Sequence, residues 1–502
     1  MFDFSRSAGV LLHISSLPSK YGIGTFGAEA YAFVDFLKAA GFRYWQILPL
    51  GPTGYGDSPY QTFSSFAGNP YFIDLEYLRA EKLLSKNDLS ELDGGDDAHC
   101  DYGRLYKTKE AVLRKAFVRY KKKNSSEIID LFLSEKFGET YYQLEAYFLY
   151  CVLKKLHNKA WFEEEAAVKF RDEKTLTKLW ERFADEISFY KFTQYLFFKQ
   201  YFALKSYANE KGICIIGDIP FYSPYDSCDC WVNPHVFSFN EDLSLRFVGG
   251  CPPDAFSDDG QYWGMPTYNW DALRSTEYEY WIQRFAIHFK MYDAVRLDHF
   301  RGFDAFWEID AREKTARNGQ WQPSAGAAFF DVLKNRFGNL PLIAEDLGMI
   351  GDEVHSLMRY ANLPGMKVLQ FAFDDNGTSA YLPHNFDTPF SVTYSGTHDN
   401  DTILGWLRSA SPHAVDYAKN YLDVQSEKSF VHRFIRLCFS SISFLAIVPA
   451  QDFLELDGHA RMNFPGSLGN WTWRLTRQNF STLKKQSDSL KTLLKMYNRC
   501  RE

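Results

Sequence analysis

The sequence predicts an α/β fold: a (β/α)8 TIM barrel with large, mainly helical insertions and no C-terminal β-sandwich. Three observations lead there. Eight short apolar runs are spaced along the chain, at 9–14, 44–50, 213–216, 294–297, 342–344, 367–371, 391–394 and 443–448. Helical patterns separate many of them, as at 29–40 and 280–290. Four of the runs end in acidic residues, as strands do when their carboxyl ends carry chemistry. Short buried strands alternating with helices imply parallel pairing. An open doubly wound sheet would share this pattern.

Taken in order, the first two runs bracket the helical pattern at 29–40. From Tyr71 to Ile219 there is no proline, and between Arg104 and Lys211 the only glycine is Gly138. Without its two strongest breakers, this stretch reads as helical, and 76–210 becomes an insertion between the second and third strands. Within it, Tyr141, Leu144, Tyr147, Phe148, Cys151 and Val152 recur at three- and four-residue steps, the core stripe of an amphipathic helix. Lys121 to Lys123 read as a solvated helix end. A second insertion, 219–292, carries a loop at 250–268. The whole chain, 1–502, reads as a single catalytic barrel.

Composition narrows the function. The chain has 502 residues, 46% hydrophobic and 24% charged, as soluble globular proteins have. A net charge of −7 argues against nucleic acid as partner, because phosphate binding needs a basic surplus. Aromatic residues make up 18%, which suits a ligand with flat apolar faces, such as a sugar ring, although an aromatic-rich core alone would give the same share. The most apolar segment, 437–450, is shorter than the roughly 20 residues a bilayer span needs. Residues 1–14 carry Asp3, Arg6 and His13, so no secretory signal is expected, and the setting reads as cytoplasmic. The eight cysteines then read as reduced thiols. Cys228, Cys230, His235 and Cys251 match no paired metal pattern, so no metal is expected.

The chemistry lies at the strand ends. The third run leads into Gly217-Asp218, the fourth into Arg296-Leu297-Asp298-His299, the fifth into Glu345-Asp346 and the seventh into His398-Asp399-Asn400. Arg296 and Asp298, two apart on a strand, point to the same face. A guanidinium there keeps a carboxylate ionised and oriented, as a nucleophile must be. Glu345, on the next strand, shares that pocket. Burial and a like-charged neighbour raise its pKa and suit it to general acid and then base. Two carboxyls about 5–5.5 Å apart are the signature of retaining glycoside chemistry.

This set of residues resembles the α-amylase superfamily of retaining α-glucan enzymes. The chain is more closely similar to the 4-α-glucanotransferases, or amylomaltases, of glycoside hydrolase family 77. The segments that carry the resemblance begin at Gly9 and include Asp57-Ser-Pro-Tyr-Gln61, Phe66-Ala-Gly-Asn-Pro70, Gly250-Cys-Pro-Pro-Asp-Ala-Phe256, Gly260-Gln-Tyr-Trp-Gly264 and Arg461-Met-Asn-Phe-Pro-Gly466. The resemblance implies that Asp298 is the nucleophile, Glu345 the acid/base and Asp399 the carboxylate that stabilises a distorted donor sugar. It implies that Asp218, Arg296, His299 and His398 hold the donor glucose, with Tyr60 stacked beneath it. Asp254, Gln261 and Trp263 fall in a loop over the acceptor side, and Asn463 in a second flanking loop. Tyr55 and Tyr102 match a remote glucan-binding patch. The implied partners are α-1,4-glucans and glucose, with no cofactor. Asp218 is followed by Ile-Pro-Phe-Tyr-Ser and not by the Asn-His pair of calcium-binding amylases, so no calcium is expected.

Three rival readings differ in class. Gly22-Ile-Gly-Thr-Phe-Gly27 fits the dinucleotide motif G-x-G-x-x-G. It lacks a tight strand-to-helix turn, and the second strand ends in Leu-Pro-Leu-Gly51 with no acid for a ribose hydroxyl. An inactive glucan-binding protein is disfavoured because all three carboxylates are present. A maltodextrin hydrolase of the same superfamily differs only in what attacks the glycosyl-enzyme. A transferase must orient a sugar acceptor against water, and Tyr262, Trp263 and Tyr268 read as a lid for that purpose.

Overall fold

The structure is a computed structural model that describes residues 3–54, 56–90, 92, 94, 97–123, 127–132, 137–253, 257–348, 350–375 and 377–500. In chain order its strands are β1 (Ser7–Leu11), β2 (Tyr44–Gln46), β3 (Cys214–Ile219), β4 (Phe247–Cys251), β5 (Gln261–Pro266), β6 (Ala294–Leu297), β7 (Ala305–Asp310), β8 (Gly319–Pro323), β9 (Leu342–Ala344), β10 (Gly365–Val368), β11 (Ser391–Tyr394) and β12 (Leu445–Pro449). Eight of them form one sheet in the order β10-β11-β12-β1-β2-β3-β6-β9, every neighbour parallel. β9 and β10 meet across the remaining seam, where the Ala344 N–H donates to the Pro364 carbonyl at 2.9 Å. The result is a (β/α)8 barrel. Its strands match the eight apolar runs because helices cover the outside and side chains fill the inside, leaving no polar face. β1 and β12 are buried throughout.

Helix Ala28–Ala40 links β1 to β2 and stops at Gly41, whose φ of 80° suits the glycine C-cap. Its amino end is occupied. Asp74 accepts from the Thr25 hydroxyl at 2.8 Å, and a Cβ on Gly27 would lie 2.1 Å from Asp74 Oδ2. No room remains for a pyrophosphate, so the glycines of the 22–27 motif serve close packing. A Cβ on Gly24 would fall 1.8 Å from the Ile14 carbonyl oxygen, a backbone atom that cannot swing aside. Gly24→Ala is expected to cost about 3 kcal/mol. A thermal melt checks this, and an unchanged Tm would contradict it.

Between β2 and β3 the chain runs through helices including Tyr102–Lys121, Tyr141–His157 and Ala184–Glu210. In Tyr141–His157 the residues Leu144, Tyr147, Phe148 and Val152 are buried, with Tyr141 and Cys151 partly so. The long helix Ala184–Glu210 packs on the barrel itself. Phe197 meets Phe26 edge-on, and the Tyr201 hydroxyl donates to the Met291 carbonyl. Two of its glutamines grip the loop after β2. Gln194 exchanges hydrogen bonds with both backbone groups of Gly68, and Gln200 does so with Asp74. That loop carries Tyr60, so the helix steadies one wall of the barrel mouth.

A second sheet, antiparallel in the order β5-β4-β7-β8, stands beside the mouth. Within the segment expected as a loop at 250–268, residues 250–251 and 261–266 instead belong to the paired strands β4 and β5. Composition hid these strands, because Gly249, Gly250 and Pro266 are poor strand formers. Packing requires the glycines: a Cβ on Gly249 would lie 2.4 Å from the Tyr222 ring, and one on Gly250 2.2 Å from the Gln261 carbonyl oxygen.

At the opposite end Arg499 is fully buried. Its guanidinium donates to the carbonyls of Ser7 at 2.8 Å, Phe439 at 2.6 Å, and Ser441 and Ser443 at 3.0 Å each. Among the described residues, no helix is long and apolar enough to cross a membrane.

Candidate active site

The site starts from strand register. Asp218 on β3 and Arg296 on β6 are direct partners in adjacent parallel strands, so their side chains project together. Arg296 Nη1 donates to both Asp218 oxygens, at 3.0 and 2.8 Å, and to Asp298 Oδ1 at 3.0 Å. Its Nη2 lies 3.9 Å from Glu345 Oε2. One guanidinium therefore gathers three carboxyls from three strands into one pocket. Exposure separates them. The Asp218 side chain is 0% exposed, whereas the Asp298 side chain is 28% exposed. The described side-chain partners of Asp218 are Arg296 and Tyr60. Burial pushes its carboxyl up, to about 7, while the guanidinium pulls it back down.

Glu345 follows β9. Its Oε2 accepts from the His299 N–H at 2.7 Å and its Oε1 from the Leu347 N–H at 3.1 Å. His299 holds a left-handed φ of 49°, uncommon for a residue with a side chain. That turn directs its N–H at Glu345. Burial is the main reason the Glu345 carboxyl is pushed up to about 7. The Asp298 charge adds to the rise, and Arg296 and the His299 N–H oppose it. A carboxyl so placed keeps about half of its population protonated at pH 7 and can donate.

Aromatic rings build the walls. Tyr60 donates to Asp218 Oδ2 at 2.8 Å and stacks on His398, ring centroids 4.9 Å apart and 18° from parallel. Trp471 packs against both. Trp263 meets His299 edge-on at 5.0 Å, and Tyr222 stacks on the same imidazole at 6.2 Å while packing against Trp263 at 5.8 Å. Burial pushes His299 down to about 4, so the ring is neutral, and its Nε2 has no protein partner. Burial also lowers His398.

The third carboxylate sits on the loop after β11. Asp399 Oδ1 accepts from Asn463 Nδ2 at 2.6 Å and lies 3.3 Å from His398 Nε2. Arg461 braces the same corner, donating to the carbonyls of Asp399 at 2.6 Å and Asn463 at 2.8 Å. With its side chain 44% exposed, Asp399 is open to a ligand.

Of the residues expected at the site, Tyr60, Asp218, Arg296, Asp298, His299, Glu345, His398, Asp399, Asn463 and Trp263 are linked by these contacts. Gln261 is exposed at the rim, where its Oε1 accepts from Trp263 Nε1 at 3.1 Å. Asp254 and Tyr55 lie outside the described residues. Tyr102 donates to the Trp471 carbonyl at 3.1 Å, and so packs behind the Tyr60–His398 stack. Of the three lid rings, Tyr268 is instead core, 2% exposed and bonded to the Phe221 carbonyl. Sequence reasoning missed Tyr222 and Trp471. Neither has a motif of its own among so many aromatics, although Tyr222 follows Asp218 by four residues.

Cys228 and Cys230 are free, buried thiols, and Cys230 Sγ donates to the Pro224 carbonyl. Among the described residues, no group of three His, Cys, Asp or Glu side chains could hold a metal ion.

Comparison with known proteins agrees with this geometry. A family model described as 4-alpha-glucanotransferase, glycoside hydrolase family 77, matches residues 12–479. A 4-alpha-glucanotransferase of Streptococcus pneumoniae serotype 4 is 45% identical over 503 residues, covering 99% of this chain and 98% of that protein. One from Thermus thermophilus is 44% identical over 481 residues, covering 94% and 95%. Among solved structures, amylomaltase from Streptococcus agalactiae in complex with acarbose superposes with a TM-score of 0.94 at 39% identity, covering 99% of this chain and all of that one. This chain belongs to glycoside hydrolase family 77 and is an enzyme of the 4-alpha-glucanotransferase class.

Proposed function

We propose that the enzyme transfers a maltooligosaccharyl segment between α-1,4-glucans, or to glucose, by retaining double displacement. An Asp298 oxygen bonds to the anomeric carbon as the bond to the leaving O4 breaks, and Glu345 gives that oxygen its proton. The shortened glucan departs. An acceptor 4-hydroxyl then attacks the glycosyl-enzyme, its proton passes to Glu345, and Asp298 is released as carboxylate. Asp399 faces the donor ring's hydroxyls, with Asn463 fixing its orientation. Arg296, itself anchored by Asp218, holds Asp298 in position. Trp263, His299 and Tyr222 form the acceptor wall, with Gln261 at its rim. The scheme draws on no metal and no organic cofactor.

The observation that carries this reading is the single Arg296 guanidinium that touches Asp218 and Asp298 and approaches Glu345. Maltotriose alone tests it. Transfer yields glucose together with a ladder of longer chains. Glucose and maltose without longer products would instead identify a maltodextrin hydrolase. The buried, unpaired thiols of Cys228 and Cys230 support a reducing, cytoplasmic setting.

A further inference from the structure

The parallel ladder of the barrel is interrupted between β9 and β10. A parallel pairing there would use two bonds, Ala344 N–H to the Pro364 carbonyl and Met366 N–H to the Ala344 carbonyl. The first is present at 2.9 Å. The second is replaced: the Met366 N–H donates to Asp346 Oδ1 at 2.6 Å. Gly365 makes the exchange possible, because a Cβ there would lie 2.3 Å from Asp346 Oδ2. Burial raises the Asp346 carboxyl above its ordinary range, while the Met366 N–H and the nearby Lys367 and His355 pull it back down.

Asp346 lies between Glu345 and Leu347, whose N–H holds Glu345 Oε1. Its grip on β10 therefore pins the backbone that carries both the acid and one of the acid's own donors. We propose that Asp346 is a positioning residue. Its carboxylate stands in for a strand-to-strand backbone bond and fixes the point from which Glu345 reaches the glycosidic oxygen. The inference rests on Glu345 being the acid/base.

Two donors test it. Maltotriose has a leaving group that needs a proton, whereas α-maltosyl fluoride releases fluoride without one. Asp346→Ala is expected to lose about 10²-fold on maltotriose, the scale of a misplacement near 1 Å, with little change in first-turnover fluoride release. Asp346→Asn, which keeps an oxygen for Met366, is expected to recover most of the loss. Equal losses on both donors, or an Asn variant as poor as Ala, would overturn the proposal. Should Asp346→Ala fail to fold, Gly365→Ala displaces the same carboxylate and is held to the same two outcomes. Glu345→Gln is run alongside. If it too falls equally on both donors, the acid/base reading itself is wrong, and that failure is visible separately from any behaviour of Asp346.

Discussion

Replacing Asp298 by Asn is expected to leave a folded, sugar-binding protein whose turnover of maltotriose has dropped about 10⁵-fold. The fold should survive because Arg296 keeps both of its bonds to Asp218, and the Asn amide oxygen still accepts from Nη1. The pocket is then nearly isosteric, yet an amide oxygen is too weak a nucleophile to bond the anomeric carbon. Glucose release from maltotriose measures the loss, and calorimetric titration with maltotriose measures retained binding. A variant within tenfold of the parent would remove Asp298 from the nucleophile's role.

The second large effect falls on Glu345. Its acid form does the work, and with a carboxyl pushed up to about 7 that form predominates below pH 7 and is lost above it. The parent enzyme's kcat/KM on maltotriose is therefore expected to decline as pH rises through about 7. Glu345→Gln should lose about 10³-fold on maltotriose, the usual worth of general acid catalysis, and should show no such decline in fluoride release from α-maltosyl fluoride. A limb near pH 7 that persists in the Gln variant on that donor would assign the titration to another group.

The parts of this site that could be read from the chain alone share one property: they follow local geometry. Arg296 and Asp298 were paired by the two-residue period of a strand. The eight strands showed because barrel strands are apolar on both faces and end abruptly. What could not be read depends on contacts between distant residues. The bond from Asn463 to Asp399 spans 64 positions, and no spacing rule reaches so far. That Asp218 is buried against Tyr60 and Arg296 is likewise set by packing between distant segments. β4 and β5 were hidden because close packing against Tyr222 and Gln261 demanded glycines, which propensity counts against strands. Asp346 looked like one more acid at a strand end, because a side chain that replaces a ladder bond leaves no trace in local pattern.

The Arg499 clasp sets a schedule for synthesis. The guanidinium that secures the Ser7 carbonyl is made 492 residues after it, and β12, the partner that encloses β1, precedes it by only about fifty. A growing chain emerging at roughly 5–20 residues per second holds its first strand exposed for most of its translation. The unpaired edge of β1, with its row of backbone N–H and C=O groups, therefore waits on the ribosome for a neighbour that arrives late, and that interval is when a nascent chain of this topology most needs shelter from other chains.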